Sequence, residues 1–425
     1  MTAPLTNQQR ALIAAVQVLG LCVWFSATAV IPSLRSEWGI GSTAAVWLTA
    51  SVQIGFVAGA VTSTLLNLAD RIAPQYLLAA SAGGAAVCTA MLALFVDSLS
   101  TAIPLRFLTG VLLAGVYPVG MKLMASWSES ADRGRAFGVL LGALTLGSAL
   151  PHLISGLGPL PWRAVMAAAA AFTAAGALIA ALLIKPGPHL DTRAITPSPE
   201  YAIAMFRERG PRLANIGYFG HMWELYALWT WLSMFILTGR EHRGTDPAAA
   251  TSLITFTAIG LAGIVGCLLG GWASDRFGRS PAATVALATS GTCCLLSPLL
   301  FTAPTPVLVV FLLIWGAAVI ADSGVFSTAL SETADPRFVG TALTAQTAIG
   351  FLLTVVTIQL VPIAAEVVGW QYAFLLLTPG PVAGAIAMSA IRNRHNNPQE
   401  DHHDQHLDPP HPGSRPDRGA LPHRR

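Results

Sequence analysis

The stretch Gly271-Trp272-Ala273-Ser274-Asp275-Arg276-Phe277-Gly278-Arg279 lies between two apolar runs, each long enough to cross a bilayer. An apolar helix is expected to end at Ser274. An acid and two bases follow, and Gly278 permits a tight reversal before the next apolar run opens near Pro281. Charge is scarce in the chain as a whole, so this cluster reads as a hinge between two membrane helices on the cytoplasmic side.

Working outward, the 425 residues are 54% hydrophobic and 11% charged, with a mean hydropathy of +0.61. An ordinary soluble domain carries roughly a quarter charged residues, which argues against a soluble fold. The net charge of +3 comes from loops and tail. It speaks to membrane orientation and not to nucleic acid. Cys22, Cys88, Cys267, Cys293 and Cys294 all sit inside apolar runs and behave as small hydrophobes, so neither a disulfide framework nor a metal site is expected. An apolar stretch after Arg10 followed by Ala27-Thr28-Ala29 imitates a signal peptide with its cleavage site. Its flank has a single base, and cleavage would leave an odd number of spans in a chain whose halves otherwise repeat.

A span needs ~20 apolar residues. Twelve segments qualify, near 11–31, 43–66, 75–96, 101–125, 136–157, 163–184, 213–237, 249–273, 281–302, 305–329, 339–362 and 370–391. The expected fold is therefore an all-α membrane protein with twelve transmembrane helices in two pseudo-symmetric six-helix bundles. The first bundle covers 1–184, a cytoplasmic linker 185–212, the second bundle 213–391, and a disordered cytoplasmic tail 392–425. The linker carries five prolines and five bases, and Tyr201 to Arg209 has the pattern of a short amphipathic helix on the membrane surface. The tail, polar and rich in Pro, Asp and His, lacks the apolar content that ordering requires. His402, His403 and His406 in it are read as incidental.

The halves repeat. Ser128-Glu129-Ser130-Ala131-Asp132 returns as Ser331-Glu332-Thr333-Ala334-Asp335, Asp70-Arg71 as Asp275-Arg276, and Trp162 as Trp370, each just over two hundred residues later and in the same order. Parallel repeats of this kind build two-domain transporters with the site between the halves. Placing both termini inside puts 19 of the 24 bases on the inner side, against Arg35, Arg163, Arg240 and Arg243 outside and Arg106 within a span. That bias favours a plasma-membrane protein with cytoplasmic termini.

The hinge string resembles the G-x-x-x-D-R-x-G-R loop motif of the major facilitator superfamily of secondary transporters, matching at Gly271, Asp275, Arg276, Gly278 and Arg279. The first-half copy at Asp70 and Arg71 is degraded, with Leu66 in place of Gly and Ala73-Pro74 in place of Gly-Arg. The resemblance implies two bundles around a central cavity lined by spans one, four, seven and ten and open alternately to each side. It also implies a gate in which Asp275 faces the start of span five around Arg133 to Phe137, and Asp70 the start of span eleven around Arg337. An acid near a helix N-terminus is stabilised there. The alternative is a solvated turn with no gating part.

Arg106, with Gly110, Gly115 and Pro118 beyond it, resembles the fourth-span R-x-x-x-G motif of the same superfamily, which implies a part in proton coupling. An arginine inside a span needs a carboxylate, carbonyls or water, and the bland alternative is snorkelling toward Asp97. Span five has Gly138, Gly142, Gly147 and His152 but no Gly-Pro pair, a departure from the family's drug-proton antiporters.

The densest polar set is in span seven: Tyr218, His221, Glu224 and Tyr226. His221 and Glu224 are three apart, share a face and lie near mid-bilayer, which makes them the leading proton carriers. The competing reading is a static hydrogen bond that fixes packing. Asp322 in span ten joins this set, and Gln17, Trp24, Tyr117, Tyr218, Trp315 and Gln346 are expected to line the substrate cavity. No H-E-x-x-H, G-x-S-x-G or Walker loop is present, so an embedded enzyme has none of its expected residues and no cofactor is called for. The functional expectation is a monomeric secondary transporter, proton-coupled, moving a small organic solute through the lipid bilayer by alternating access. Its alternative is a drug or metabolite efflux antiporter of the same fold, and a channel is the rival of another class.

Overall fold

The computed structural model describes residues 3–129, 133–158, 160–190, 199–244, 248–335 and 338–395, and among these no strand occurs. Ten helices are long and apolar enough to cross a membrane. They are α2 (Ser42–Leu65), α3 (Pro74–Phe95), α4 (Leu99–Ser126), α5 (Arg135–Gly156), α6 (Trp162–Leu183), α8 (Ala250–Phe277), α9 (Arg279–Leu300), α10 (Thr305–Thr333), α11 (Val339–Val368) and α12 (Trp370–Ile391). The first and seventh expected spans are occupied by α1 (Ala3–Leu21) and α7 (Arg209–His242). These two are the exceptions for a physical reason. α1 stops at Leu21 and resumes only as the short helices Ser26–Ala29 and Ile31–Trp38, while α7 carries the chain's densest set of buried polar groups.

The repeat read in the sequence recurs in the packing. Among the first six helices, α1 packs on α5 and α6, α2 on α4, and α3 on α4 and α6. Among the last six, α7 packs on α11 and α12, α8 on α10, and α9 on α10 and α12. The α2–α4 and α8–α10 contacts use the same device, backbone against backbone. A Cβ on Gly59 or Gly110 would strike the facing carbonyl of Val111 or Val52, and on Gly270 or Gly316 that of Ala321 or Ala258. The two sets meet along α5–α8 and α2–α11.

That meeting is uneven along its length. Far from the termini, Thr43 Oγ1 donates to Glu366 Oε1 at 3.0 Å, and a Cβ on Gly156 would come within 2.8 Å of Leu253. Nearer the linker, a Cβ on Gly138 would approach nothing closer than Cys267 O at 3.9 Å, and on Gly271 nothing within 4 Å. Two cavities open at this end. One, of about 230 Å³, lies among α5, α8 and α10, and the other, of about 240 Å³, among α2, α4 and α11.

Several of the long helices are broken, α12 by a 3-10 turn over Phe374–Leu377. α4 is interrupted between Leu113 and Tyr117, α10 at Asp322, and α8 contains a π-turn over Thr257–Leu261. Such interruptions free backbone groups and bend the rod. The surface helix expected from Tyr201 onward is instead Pro199–Ala204, and its apolar side docks on protein. Tyr201 and Met205 pack with Leu330, Ala334 and Ala342, and the Asp335 amide donates to Tyr201 Oη at 2.7 Å. Burial, with Glu208 and Asp335 nearby, raises the pKa of this phenol. The expected tail begins later than residue 392, because the last helix runs on to His395, and its remainder lies outside the described residues.

Candidate functional site

The buried carboxylates gather with His221 where α7, α9 and α10 meet. His221 and Glu224 share a face of α7, yet the structure does not pair them. His221 Nδ1 lies 2.9 Å from Asp322 Oδ1, at the break in α10, and His221 Nε2 is 2.8 Å from Ser323 Oγ. Glu224 Oε1 accepts from Ser290 Oγ at 2.6 Å, Trp315 Nε1 at 2.7 Å and Cys294 Sγ at 3.2 Å. His221, Glu224 and Asp322 are almost fully buried. The result is two adjacent polar centres on α7, one tied to α10 alone and one tied to both α9 and α10. Trp315, expected in the substrate cavity, is a ligand of Glu224. Cys294, expected to behave as a small hydrophobe, is instead a donor to Glu224, and Ser290 and Ser323 were not expected at the site, although Ser290 and Cys294 stand four apart on one face of α9.

Arg106 takes the carbonyl option. Its Nε donates to Leu48 O at 3.0 Å, Nη1 to Val23 O at 2.9 Å and Ser26 Oγ at 3.4 Å, and Nη2 to Trp24 O at 2.5 Å. Val23 and Trp24 lie in the gap between α1 and the helix Ser26–Ala29, where carbonyls lose their helical donors. The guanidinium replaces those donors and pins the gap to α2. Asp97, the alternative snorkelling partner, pairs with Arg163 instead.

The remaining cavity candidates separate. Gln17 is fully buried between α1 and α4, donating to Val116 O at 3.1 Å, with Gly120 leaving the room it occupies. Gln346 Nε2 donates to Asn215 Oδ1 at 3.1 Å and so joins α11 to α7. Trp24 does face the meeting of the halves, its ring stacking 6.0 Å from Tyr226, whereas Tyr218 packs against His221 and Phe326 of its own half.

At the linker end, Asp275 and Arg279 line the 230 Å³ cavity with Phe137 and Gly138 of α5 and Gly271 of α8. Gly278 has φ +91°, a backbone state that glycine alone adopts readily. Arg279 pairs with Glu332 at the end of α10, Arg276 lies over the Phe277 ring, and the Asp275 side chain bonds to none of the described residues. Asp70 lines the second cavity, but Lys122 of α4 pairs with it and also donates to Ala69 O at 2.8 Å. Asp70 shares that cavity with Leu343 and Thr344 of α11, and its ion pair is to Lys122 of its own half, while the expected contact around Arg337 lies outside the described residues. Arg71 is exposed and forms no ion pair among the described residues. Arg337 and the Arg133 side chain lie outside what is described.

Comparison with known proteins agrees with this architecture. The family model described as Major Facilitator Superfamily matches residues 13–358 and 214–416. The chain is 26% identical over 266 residues to the probable sulfoacetate transporter SauU of Cupriavidus necator, covering 56% of this chain and 59% of that one. It is 26% identical over 298 residues to a gallate transporter of Pseudomonas putida, covering 62% and 64%. The chain thus spans less than two thirds of the length of either relative. The xylose transporter XylE from E. coli, in a partially occluded inward open conformation, superposes with a TM-score of 0.69 at 14% identity, over 91% of this chain and 98% of that one.

Proposed function

The chain belongs to the Major Facilitator Superfamily, and from that premise we propose that it carries a small organic acid across the plasma membrane by alternating access, coupled to protons. It works as a monomer of twelve crossings, with residues 1–184 and 213–391 as the two moving bundles, the linker between them and both termini cytoplasmic. Sulfoacetate and gallate, carried by the relatives, are both small organic acids, which supports the solute class.

The observation that carries the proton part is the pair of buried centres on α7. Glu224 as a carboxylate accepts three donors and so ties α9 and α10 to α7. Protonation removes the charge on which those three donors converge, which weakens each tie, since hydrogen bonds to a charged acceptor are the stronger ones. His221 and Asp322 stand 2.9 Å apart at the break in α10, close enough for a proton to be shared once their side chains align, since Asp322 Oδ1 is not hydrogen-bonded in this arrangement. Protonation thereby changes how α7, α9 and α10 pack. Asp275 serves the gate: it lines the cavity that separates α8 from α5, so rocking of the halves changes its surroundings.

The test is counterflow in proteoliposomes made with the purified full chain, using gallate and sulfoacetate as probes, followed by uptake under an imposed pH gradient. Trans-stimulated exchange that accelerates with an inward proton gradient is the expected result. Exchange indifferent to pH removes the coupling, and current without exchange removes the carrier.

A further inference from the structure

Six aromatic rings meet where the two halves touch. Tyr226 of α7 is the hub, its ring centroid 6.0 Å from Trp24, 5.8 Å from Phe25, 5.8 Å from Trp229 and 5.2 Å from Phe351. Phe56 of α2 completes the set, 5.0 Å from Trp24 and 4.5 Å from Phe351. Trp24, Phe25 and Phe56 come from the first half, and Tyr226, Trp229 and Phe351 from the second. Whenever the halves separate at this level, the rings must part.

Packing alone asks only for ring faces, yet two of these rings are indoles whose N–H groups are unmet. Elsewhere in the chain Trp127 donates to Lys185 O, Trp162 to Glu37, Trp223 to Leu376 O, Trp231 to Ile358 O and Trp315 to Glu224, and of the indoles outside the cluster only that of the half-buried Trp38 shares the buried, unpartnered state among the described residues. Trp24 Nε1 and Trp229 Nε1 have no partner among the described residues, although both side chains are 1% exposed. A buried donor without an acceptor is costly, and phenylalanine would fill either place without that cost. One such donor stands on each half. The guanidinium of Arg106 is bonded directly to the Trp24 carbonyl and has no carboxylate partner among the described residues, so the cluster also sits beside an uncompensated positive charge.

Unmet donors on both sides, a nearby buried cation and a set of stackable faces select one chemistry. We infer that the Tyr226 cluster is the clamp for a planar aromatic carboxylate. The carboxylate accepts from the indoles of Trp24 and Trp229, and the ring slides among Tyr226, Phe56 and Phe351 as they part. A ligand that spans the two indoles draws the halves together, which links binding to closure. This rests on the proposed carrier function and adds the solute class and the residues that read it.

The experiment measures binding of gallate and of sulfoacetate to the full-length protein in lipid nanodiscs by calorimetry, for the wild type, Trp24→Phe and Trp229→Phe. Trp231→Phe, which removes an indole already bonded to Ile358 O, controls for packing damage. The wild type should bind gallate at least about tenfold more tightly than sulfoacetate, and each of the first two variants should lose about tenfold for gallate, the loss of one hydrogen bond to a charged acceptor. Unchanged gallate affinity in either variant, a loss equalled by Trp231→Phe, or a wild type that favours sulfoacetate overturns the clamp. Counterflow of any solute by the same wild-type preparation keeps the carrier reading alive in those cases. Counterflow of none removes that reading whatever the tryptophans do.

Discussion

Replacing Arg106 tests whether its charge or its fork geometry matters. The side chain donates to three carbonyls, two of them in the gap between α1 and the helix Ser26–Ala29. Hydrogen bonds from a charged donor contribute about 1.5–3 kcal/mol each, so the three together are worth roughly 4–9 kcal/mol. Against this stands the cost of keeping a guanidinium out of water, several kcal/mol after relaxation. Arg106→Met forfeits the bonds and also escapes that cost, leaving a net loss of a few kcal/mol. Arg106→Lys retains a buried charge, but an ammonium is a point donor that cannot reach three divergent carbonyls, and about two bonds go without any offset. The charge-conserving substitution is therefore predicted to be at least as destabilising as the apolar one. Thermal unfolding of the purified variants in one detergent, followed by tryptophan fluorescence, should place both several degrees below the wild type, with Lys no better than Met. If Arg106→Lys melts with the wild type while Arg106→Met falls, the charge is what counts and the fork does not brace the gap after α1.

Other substitutions probe the remaining contacts. Glu224→Gln should abolish acceleration of uptake by an inward proton gradient while leaving counterflow largely intact, and a persisting pH-gradient response would exclude Glu224 as the carrier. Gly270→Leu drives a side chain into the Ala321 backbone, so expression of folded protein should drop sharply, measured by monodisperse yield, whereas Gly271→Leu, with open space around it, should express normally. Tyr201→Phe removes the acceptor of the Asp335 amide and should cost about 1 kcal/mol locally, read as faster tryptic cleavage at Arg207 and Arg209. Asp275→Asn should change labelling of a cysteine introduced at Gly138 or Thr328 of the lining cavity, and an identical rate would favour a simple turn.

How far the sequence foretold these contacts depended on whether the partner was local. The reversal at Gly278 and the breadth of the apolar runs are local signals with counterparts in the fold, although α8 runs on to Phe277 and not to Ser274 as expected, because Asp275 and Arg276 continue the last turn up to the glycine. The break in α1 carries no such mark, because Cys22, Val23, Trp24 and Phe25 are as apolar as their neighbours. It is imposed from outside by Arg106, which stands 83 residues from Val23. Likewise the spacing of His221 and Glu224 gives a shared face, but the partners that divide them sit on α9 and α10, 66 to 102 residues away. Sequence periodicity shows which side of a helix faces inward and does not show what meets it there.

The two loop aspartates carry this point into mechanism. Asp70 and Asp275 occupy equivalent places in the repeat, and each lines one of two similar cavities. Asp70 is held by Lys122, and both belong to the first half, so rocking of one half against the other leaves that ion pair whole. Asp275 has no such partner among the described residues, and the residues opposite it, Phe137 and Gly138, belong to the other half. If the halves rock as proposed, the surroundings of Asp275 change with every swing, whereas Asp70, although it also faces Leu343 and Thr344 of the other half, keeps its counter-ion throughout. A conformational equilibrium responds only to groups whose free energy differs between its states. By that rule the proposed motion is expected to couple more strongly to the second-half loop than to the first-half loop, whose counter-ion moves with it, in keeping with an intact G-x-x-x-D-R-x-G-R string at Gly271 to Arg279 and a copy that carries Leu66, Ala73 and Pro74.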